Sequence, residues 1–149
     1  MRIAAGGDER NAVTDHVLDA LRKRGHELIK VVGPVGGGDE QWADVGREVA
    51  ESVAAGEADQ GVVFCWTGTG VSLAANKVPG ARAALCTDAE QARGARKWND
   101  ANVLAMSLRL TSSPLADEIL DAWFSTTELD PAEIPNIEKV KSADRSSET

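Results

Sequence analysis

The stretch that decides the fold reads Gly61-Val62-Val63-Phe64-Cys65-Trp66-Thr67-Gly68-Thr69-Gly70. Its first half is an apolar run typical of a buried strand, and its second half is a glycine-rich turn that leads into a helical segment. The thiol of Cys65 therefore stands where a strand gives way to a helix. In an open parallel sheet such turns face the ligand crevice, and their backbone N–H groups and the helix dipole attract an anion. The stretch predicts a turn that binds an oxyanion or a phosphate.

Further apolar runs predict that strands and helices alternate along the chain. Strands are expected over residues 2–6, 27–32, 61–65, 81–86 and 102–106. Helical spacing falls between and after them, over residues 13–21, 42–53, 71–77, 89–97 and 114–124. Continuous apolar strands joined by helices are typical of a parallel sheet that is buried on both faces. The sequence thus predicts an α/β fold, a Rossmann-like three-layer sandwich around a five-stranded parallel sheet.

The first two helices carry local signals for their ends and faces. Asn11 is the expected N-cap of the first helix, and Gly25 the expected residue just beyond its end. Trp42 begins the second helix and is spaced with the valines that follow it, so it is expected on the face that packs against the sheet.

Composition excludes several classes of protein. The chain has 149 residues, 42% of them hydrophobic, which is enough for one core. Its 24 acidic residues outnumber its 16 basic ones, and the formal charge of −8 argues against a nucleic-acid surface. No apolar stretch approaches the roughly 20 residues of a membrane-spanning helix, and the N-terminal strand is too short for a signal peptide. A cytoplasmic protein with no nucleic-acid or membrane partner is expected.

The end of the chain differs in composition from the rest. Residues 1–125 are expected to form one Rossmann-like domain, and residues 126–149 a more polar extension interrupted by Pro131 and Pro135. Within the extension, residues 134–140 are apolar enough to dock on a partner subunit. The last residues are too polar to pack and are expected to be mobile.

Neither a metal nor a cofactor is expected. Cys65 and Cys86 each end an apolar run, without CxxC spacing or a histidine nearby. The turn after the first strand lacks the GxGxxG pattern of nicotinamide enzymes, and Lys77 lies too far from Gly70 for a Walker A motif. Cys86 is not followed by a glycine-rich turn and is expected to be a buried core residue.

Polar residues near other strand ends are expected to join Cys65 at one edge of the sheet. Asp8 follows the first strand, Asn99 and Asp100 precede the fifth, and Arg109 follows the fifth. Taken singly, Cys65 is better explained as a core thiol, and the others as solvated loop or cap residues. Together they favour a site in which a helix N-terminus stabilises the thiolate, as a base or nucleophile requires.

Several motifs occur in order at family spacing, namely Cys65-x-Thr67-Gly68-x-Gly70-x-Ser72-x-Ala74-Ala75-Asn76-Lys77, Gly80-x-Arg82-Ala83, Asn99-Asp100-x-Asn102-Val103-Leu104-Ala105 and Arg109. With them, residues 1–125 resemble the ribose-5-phosphate isomerase B and galactose-6-phosphate isomerase family. The resemblance implies a Rossmann-like homodimer with active sites shared between subunits. It also implies an intramolecular oxidoreductase that interconverts aldose and ketose phosphates through an enediolate, without a metal.

The resemblance also assigns roles to residues. Cys65 would move a proton between two sugar carbons, with Thr67 as the second catalytic residue. The backbone N–H groups of Gly68, Thr69 and Gly70 would hold the negative oxygen. The substrate would be bound by residues outside the turn, namely Asp8, Glu9, Arg10, Trp98, Asn99 and Arg109.

Three departures from the family pattern concern the substrate. Glu9 and Trp98 each replace a family histidine, and residues 136–141 replace an arginine-rich segment. The histidine matching Trp98 is linked to opening of a cyclic sugar, and a carboxylate at position 9 repels a phosphate dianion. A substrate other than ribose 5-phosphate is therefore expected: a sugar that stays open-chain, such as a tetrose phosphate, or a sugar without a phosphate near Glu9. Trp66 and Trp98 would narrow its pocket.

Two alternatives stay open. The chain could be a catalytically inactive homologue that binds a sugar or an anion at the same turn. It could instead be a different carbohydrate or nucleotide enzyme that uses Glu9 as its acid or base.

Overall fold

The computed structural model describes residues 1–144 and has the predicted alternation of strands and helices. Its elements are β1 (Arg2–Gly7), α1 (Ala12–Lys23), β2 (Glu27–Val32), α2 (Trp42–Ala54), β3 (Gln60–Cys65), α3 (Thr69–Asn76), β4 (Ala83–Leu85), α4 (Ala89–Asn99), β5 (Val103–Ser107), α5 (Ser113–Ser125) and α6 (Ile134–Ser142). The strands pair in parallel in the order β2-β1-β3-β5-β4. The prediction of a five-stranded parallel sheet is confirmed.

Helices cover both faces of the sheet, because successive side chains of a strand point to opposite faces. Phe64 lies on the face that packs against α1, α4 and α5. Val63 and Cys65 lie on the other face, which packs against α2 and α3. The prediction of a three-layer sandwich is therefore also confirmed, and Cys65 is placed beneath α3.

The predicted ends of α1 are confirmed, whereas the predicted face of α2 is wrong at its first residue. The Asn11 side chain accepts the Thr14 N–H at 3.0 Å, and Gly25 has a φ of +87° just after the helix. Trp42 is 46% exposed instead of buried. The first turn of α2 meets the start of α3 rather than the sheet, so its side chain packs on Gly70.

One buried hydrogen bond ties α5 to the central strand β3. The indole N–H of Trp123 donates to the side-chain oxygen of Gln60 at 2.8 Å. Both residues are buried, and Trp123 is only 1% exposed. Because a buried polar group without a partner is costly, this bond fixes how α5 sits on the sheet.

The edge strand β4 is shorter than expected, spanning Ala83–Leu85 rather than residues 81–86. The Asn76 side chain occupies its outer edge, donating to the Ala83 carbonyl at 2.9 Å and accepting from the Ala83 N–H at 2.8 Å. An amide side chain here replaces a neighbouring strand and leaves less edge to pair with another chain.

Helix α6 packs against its own chain. Ile137 is only 3% exposed, and the Lys141 ammonium lies 3.4 Å from the Asp100 carboxylate. Ile134 and Val140 remain exposed, so docking of this helix on a partner stays a prediction. At the start of the polar tail, Ser142 ends α6 and the Asp144 carboxylate accepts the Gly80 N–H at 2.8 Å. The rest of the tail, residues 145–149, lies outside the described residues, so the expected mobility of the last residues stays a prediction.

Candidate functional site

The central strands β1 and β3 form the point at which the sheet changes direction. The chain leaves β1 towards β2 on one side, and after β3 it builds the other side of the sheet. Ligands of open parallel sheets bind outside the carboxyl ends of the strands at such a point. Gly7 of β1 pairs with Phe64 of β3, so Asp8 and Cys65 both stand one residue beyond this pair. The structure thus brings these two predicted site residues to the same edge.

The turn after β3 wraps around the Cys65 sulfur. Cys65 is 5% exposed, and its Sγ accepts the Gly68 N–H at 3.2 Å. Helix α3 begins at Thr69, and its first internal hydrogen bond runs from the Ser72 N–H to the Gly68 carbonyl. The N–H groups of residues 69–71 precede the helix's own hydrogen bonds and are the donors that a helix N-terminus offers to an anion.

Gly68 gives this turn its shape. Its φ of +79° is in the left-handed region, which favours glycine. A Cβ at this position would lie 2.5 Å from Cδ1 of Leu85 and 3.0 Å from the backbone carbon of Met106. The turn is therefore seated directly against β4 and β5, with no room for a side chain at Gly68.

Two threonines flank Gly68 and face solvent. Thr67 and Thr69 are both exposed, and their hydroxyl oxygens lie 2.8 Å apart. This distance is that of an O–H···O hydrogen bond. The turn thus presents a pair of bonded hydroxyls beside the backbone donors.

Hydrogen bonds join the turn to the loop that follows β5. The Trp66 carbonyl accepts the Ser107 hydroxyl at 3.0 Å and the Arg109 N–H at 2.9 Å. Trp66 is 56% exposed, and Arg109 is exposed as well. Arg109 therefore lies at the same edge as Cys65, where the sequence placed it.

The acidic pair after β1 differs in its two members. Asp8 is half-buried, and burial, followed by the charge of Glu9, raises the pKa of its carboxyl above the ordinary value. Glu9 is exposed. Arg10 is exposed and holds the Asp15 carboxylate at 2.9 Å, so its charge is already paired. Of the three residues, Asp8 is the one whose charged form is disfavoured by burial at the switch point between β1 and β3.

The expected convergence of Asn99 and Asp100 with Cys65 is wrong within one chain. Both residues precede β5 and lie at its amino end, whereas Cys65 pairs with Ser107 at its carboxyl end. The four steps along β5 separate these ends by about 13 Å at the usual rise of a strand. Asp100 instead binds Arg82 and Lys141, each at 3.4 Å.

Trp98 and Asn99 face cavities beside the edge strand β4. They line two adjoining spaces of about 450 and 420 Å³ along β4. The larger space is also bordered by Arg82 and by Asn136 of α6. Trp98 is 44% exposed and lies away from Cys65 of its own chain, so it does not narrow that chain's own turn.

Trp42 is a site residue that the sequence did not reveal. A Cβ on Gly70 would lie 2.8 Å from Cε3 of the Trp42 ring, so the indole covers the start of α3. Nearly half of Trp42 remains exposed beside the turn. The spacing of α2 pointed to the core, and only the tertiary contact with Gly70 shows its place.

Cys86 has the structural character expected of it. It is 1% exposed, and burial, followed by the charge of Asp88, raises the pKa of its thiol to about 12. Among residues 1–144, no group of three or more His, Cys, Asp or Glu side chains is arranged to hold a metal ion. None of the helices in this part of the chain is long and apolar enough to cross a membrane.

The motifs, the sheet order and the turn are typical of one class of protein. Comparison with known proteins identifies that class. A family model described as Ribose/Galactose Isomerase matches residues 3–140. The chain belongs to this family of isomerases, which confirms the resemblance drawn from its motifs.

Individual relatives agree with this assignment. The chain is 39% identical over 123 residues to ribose-5-phosphate isomerase B of Escherichia coli, covering 82% of each protein. It is 32% identical over 145 residues to D-erythrulose-4-phosphate isomerase of Pectobacterium atrosepticum, covering 94% of this chain and 93% of that one. The solved ribose-5-phosphate isomerase B of Clostridium thermocellum superposes with a TM-score of 0.89 and 38% identity, over 99% of both chains.

Proposed function

We propose that this aldose–ketose isomerase acts on a short sugar phosphate that stays open-chain, with Cys65 as the base that moves the carbon-bound proton. The observation that carries the proposal is the Cys65 sulfur at 3.2 Å from the Gly68 N–H, inside a turn that opens a helix at the switch point. A thiolate at this place is stabilised by a backbone donor and by the helix dipole.

The reaction follows from the groups of the turn. The Cys65 thiolate removes a proton from the carbon beside the substrate carbonyl, and the electron pair forms the C=C bond of an enediolate. The carbonyl oxygen takes the negative charge, which the N–H groups at the start of α3 stabilise by about 3–4 kcal/mol for a well-placed donor. The thiol then returns the proton to the neighbouring carbon, and the Thr67 hydroxyl forms hydrogen bonds with the substrate oxygens.

Trp98 is the residue that bears most directly on the choice of substrate. The resemblance links ring opening to a histidine at this position, and an indole has no proton to offer at neutral pH as a general acid. A four-carbon sugar with a phosphate on its last oxygen cannot close a five-membered ring through that oxygen, so it needs no ring opening. The Pectobacterium relative is named for such a substrate, D-erythrulose 4-phosphate. We therefore assign this compound and its aldose as the reacting pair.

The two halves of the predicted site lie far apart within one chain, which favours a partner subunit. Within one chain, Trp98 and Asn99 lie at the opposite end of β5 from the turn. A second copy of the chain can bring its own Asn99 to the turn, as the resemblance to a homodimer with shared sites implies. The exposed side chains of Trp66 and Leu73 supply apolar surface for such a contact.

Anion binding falls to Arg109 in this proposal. Its side chain is exposed at the carboxyl edge, whereas Arg10 is paired with Asp15 and Lys141 with Asp100. Glu9 faces solvent and stays the reason to test sugars without a phosphate.

The substrate assignment is tested by comparing kcat/KM for D-erythrulose 4-phosphate, ribose 5-phosphate and free erythrulose. We expect the four-carbon phosphate to be preferred at least tenfold over both. A preference for ribose 5-phosphate would contradict the role given to Trp98, and a preference for free erythrulose would contradict the phosphate.

The shared site is tested by mixing two variants that we expect to be inactive on their own, Cys65→Ala and Asn99→Ala. If each site uses Cys65 of one chain and Asn99 of the other, unfolding and refolding the mixture creates heterodimers with one intact site. About a quarter of the wild-type activity should then return, because half of the dimers are mixed and one site of two is intact. A mixture that stays inactive would show that both residues come from the same chain or that no dimer forms.

One observation favours the inactive homologue, namely that Cys65 is only 5% exposed. A binding protein would show ligand-induced stabilisation with no turnover. Such a ligand, at 100 times its dissociation constant, adds about 2.7 kcal/mol to the free energy of unfolding. Turnover of any sugar phosphate in the panel excludes this alternative.

A further inference from the structure

The side chain of Thr69 has no role in the reaction described above, although it contacts Thr67, which does. Its hydroxyl oxygen lies 2.8 Å from that of Thr67. The family motif in the sequence leaves position 69 unspecified, so the resemblance gives this side chain no role. Between the two threonines, Gly68 is held at a φ of +79° against Leu85 and Met106. The backbone between the two hydroxyls is therefore packed closely against β4 and β5.

Isomerisation of an aldose and a ketose moves two protons. One passes between the two carbons, and the other passes from the hydroxyl oxygen of the reactant to the oxygen that was its carbonyl. Backbone N–H groups can donate a hydrogen bond but cannot accept a proton. A hydroxyl can do both, since it carries one proton and two lone pairs. The oxygen-bound proton thus requires a group such as the Thr67 hydroxyl.

We propose that Thr69 is a positioning residue that holds the Thr67 hydroxyl in the orientation for this second transfer. The inference rests on the proposed isomerase function. Thr67 gives its proton to the former carbonyl oxygen and takes the proton of the neighbouring substrate hydroxyl. The threonine hydroxyl is restored, and the step consumes nothing. The hydrogen bond to Thr69 keeps the Thr67 hydroxyl from rotating towards solvent, where both side chains are exposed.

The test compares Thr69→Val, which has the shape of threonine without the hydroxyl, with Thr69→Ser, which keeps the hydroxyl. For D-erythrulose 4-phosphate we expect Thr69→Val to lower kcat about three- to tenfold, the loss typical of one hydrogen bond, with KM within about twofold. Thr69→Ser should retain kcat within about twofold. Adding Thr69→Val to Thr67→Val should cost little more, because the two residues act as one unit.

Isotope exchange separates this role from a merely structural one. In D₂O, slower transfer between the oxygens prolongs the enediolate, so Thr69→Val should incorporate more deuterium at carbon per turnover than wild type. The inference is overturned if Thr69→Ser is as damaged as Thr69→Val, if only KM changes, or if exchange per turnover stays at the wild-type value. If Cys65→Ala exchanges normally or wild type turns over no sugar phosphate, the proposed function fails first, and this inference with it.

Discussion

Replacing Gly68 with alanine tests the geometry of the turn most severely. The left-handed backbone at φ +79° costs a non-glycine residue about 1–2 kcal/mol. The added Cβ would also lie 2.5 Å from Leu85 and 3.0 Å from the Met106 backbone, and such overpacking typically costs about 1–3 kcal/mol. We expect Gly68→Ala to lower the free energy of unfolding by about 2–5 kcal/mol in total.

Gly56 supplies a matched control. Its φ is +77°, close to that of Gly68, but nothing lies within 4 Å of a Cβ built there. Gly56→Ala should therefore cost only the backbone part, about 1–2 kcal/mol. Urea unfolding of both variants isolates the steric part as the difference, which we expect to be about 1–3 kcal/mol. Equal destabilisation of the two variants would refute the close seating of the turn on β4 and β5.

Gly68→Ala should also impair the proposed reaction. Because the Gly68 N–H donates to the Cys65 sulfur, a displaced turn weakens this donor and misplaces the N–H groups of α3. Gly68→Ala should therefore lose most of its kcat at temperatures where it is fully folded, whereas Gly56→Ala should keep wild-type kcat.

Three further predictions concern stability and reactivity. Asp8→Asn should stabilise the protein at neutral pH, because the pKa of the Asp8 carboxyl is raised in the folded protein. Such a carboxyl makes the fold less stable as the pH rises from 3.8, its ordinary pKa, through the raised pKa. Thermal melts should therefore show that the gain in stability of the variant vanishes below this pH range, and a gain independent of pH would contradict the prediction. Gln60→Leu should lower the free energy of unfolding by about 1–3 kcal/mol, since it leaves the buried Trp123 N–H without its acceptor; an unchanged urea midpoint would argue against that bond. Iodoacetamide at neutral pH should label Cys65 and spare Cys86, whose pKa is about 12, and D-erythrulose 4-phosphate should protect Cys65; peptide mapping that finds Cys86 labelled first would reverse the assignment.

The parts of the site that the sequence predicts are those built from consecutive residues. Cys65 to Gly70 form a strand end, a turn and a helix start within six positions, so local chemistry fixes their arrangement. The order of apolar runs likewise predicts the five parallel strands. The cap at Asn11 follows the same logic, because its partner Thr14 lies three residues away.

The parts that the sequence missed depend on contacts between distant segments. Trp42 has helical spacing for the core, yet the start of α3 supplies its neighbour, Gly70. The cover on the outer edge of β4 comes from Asn76, whose amide takes both backbone groups of Ala83. Asn99 was expected beside Cys65 because both flank strands, but the residue before a parallel strand and the residue ending one lie at opposite edges.

Transfer of a carbon-bound proton by Cys65 is the central step of the proposed reaction, and deuterium incorporation into the sugar measures that step directly. Proton NMR in D₂O should follow D-erythrulose 4-phosphate with wild type, Cys65→Ala and the matched variant Cys86→Ala. We predict that incorporation falls at least about 100-fold in Cys65→Ala, the lower range for loss of a general base, and stays within about twofold in Cys86→Ala. Incorporation at the wild-type rate in folded Cys65→Ala would show that another group moves this proton.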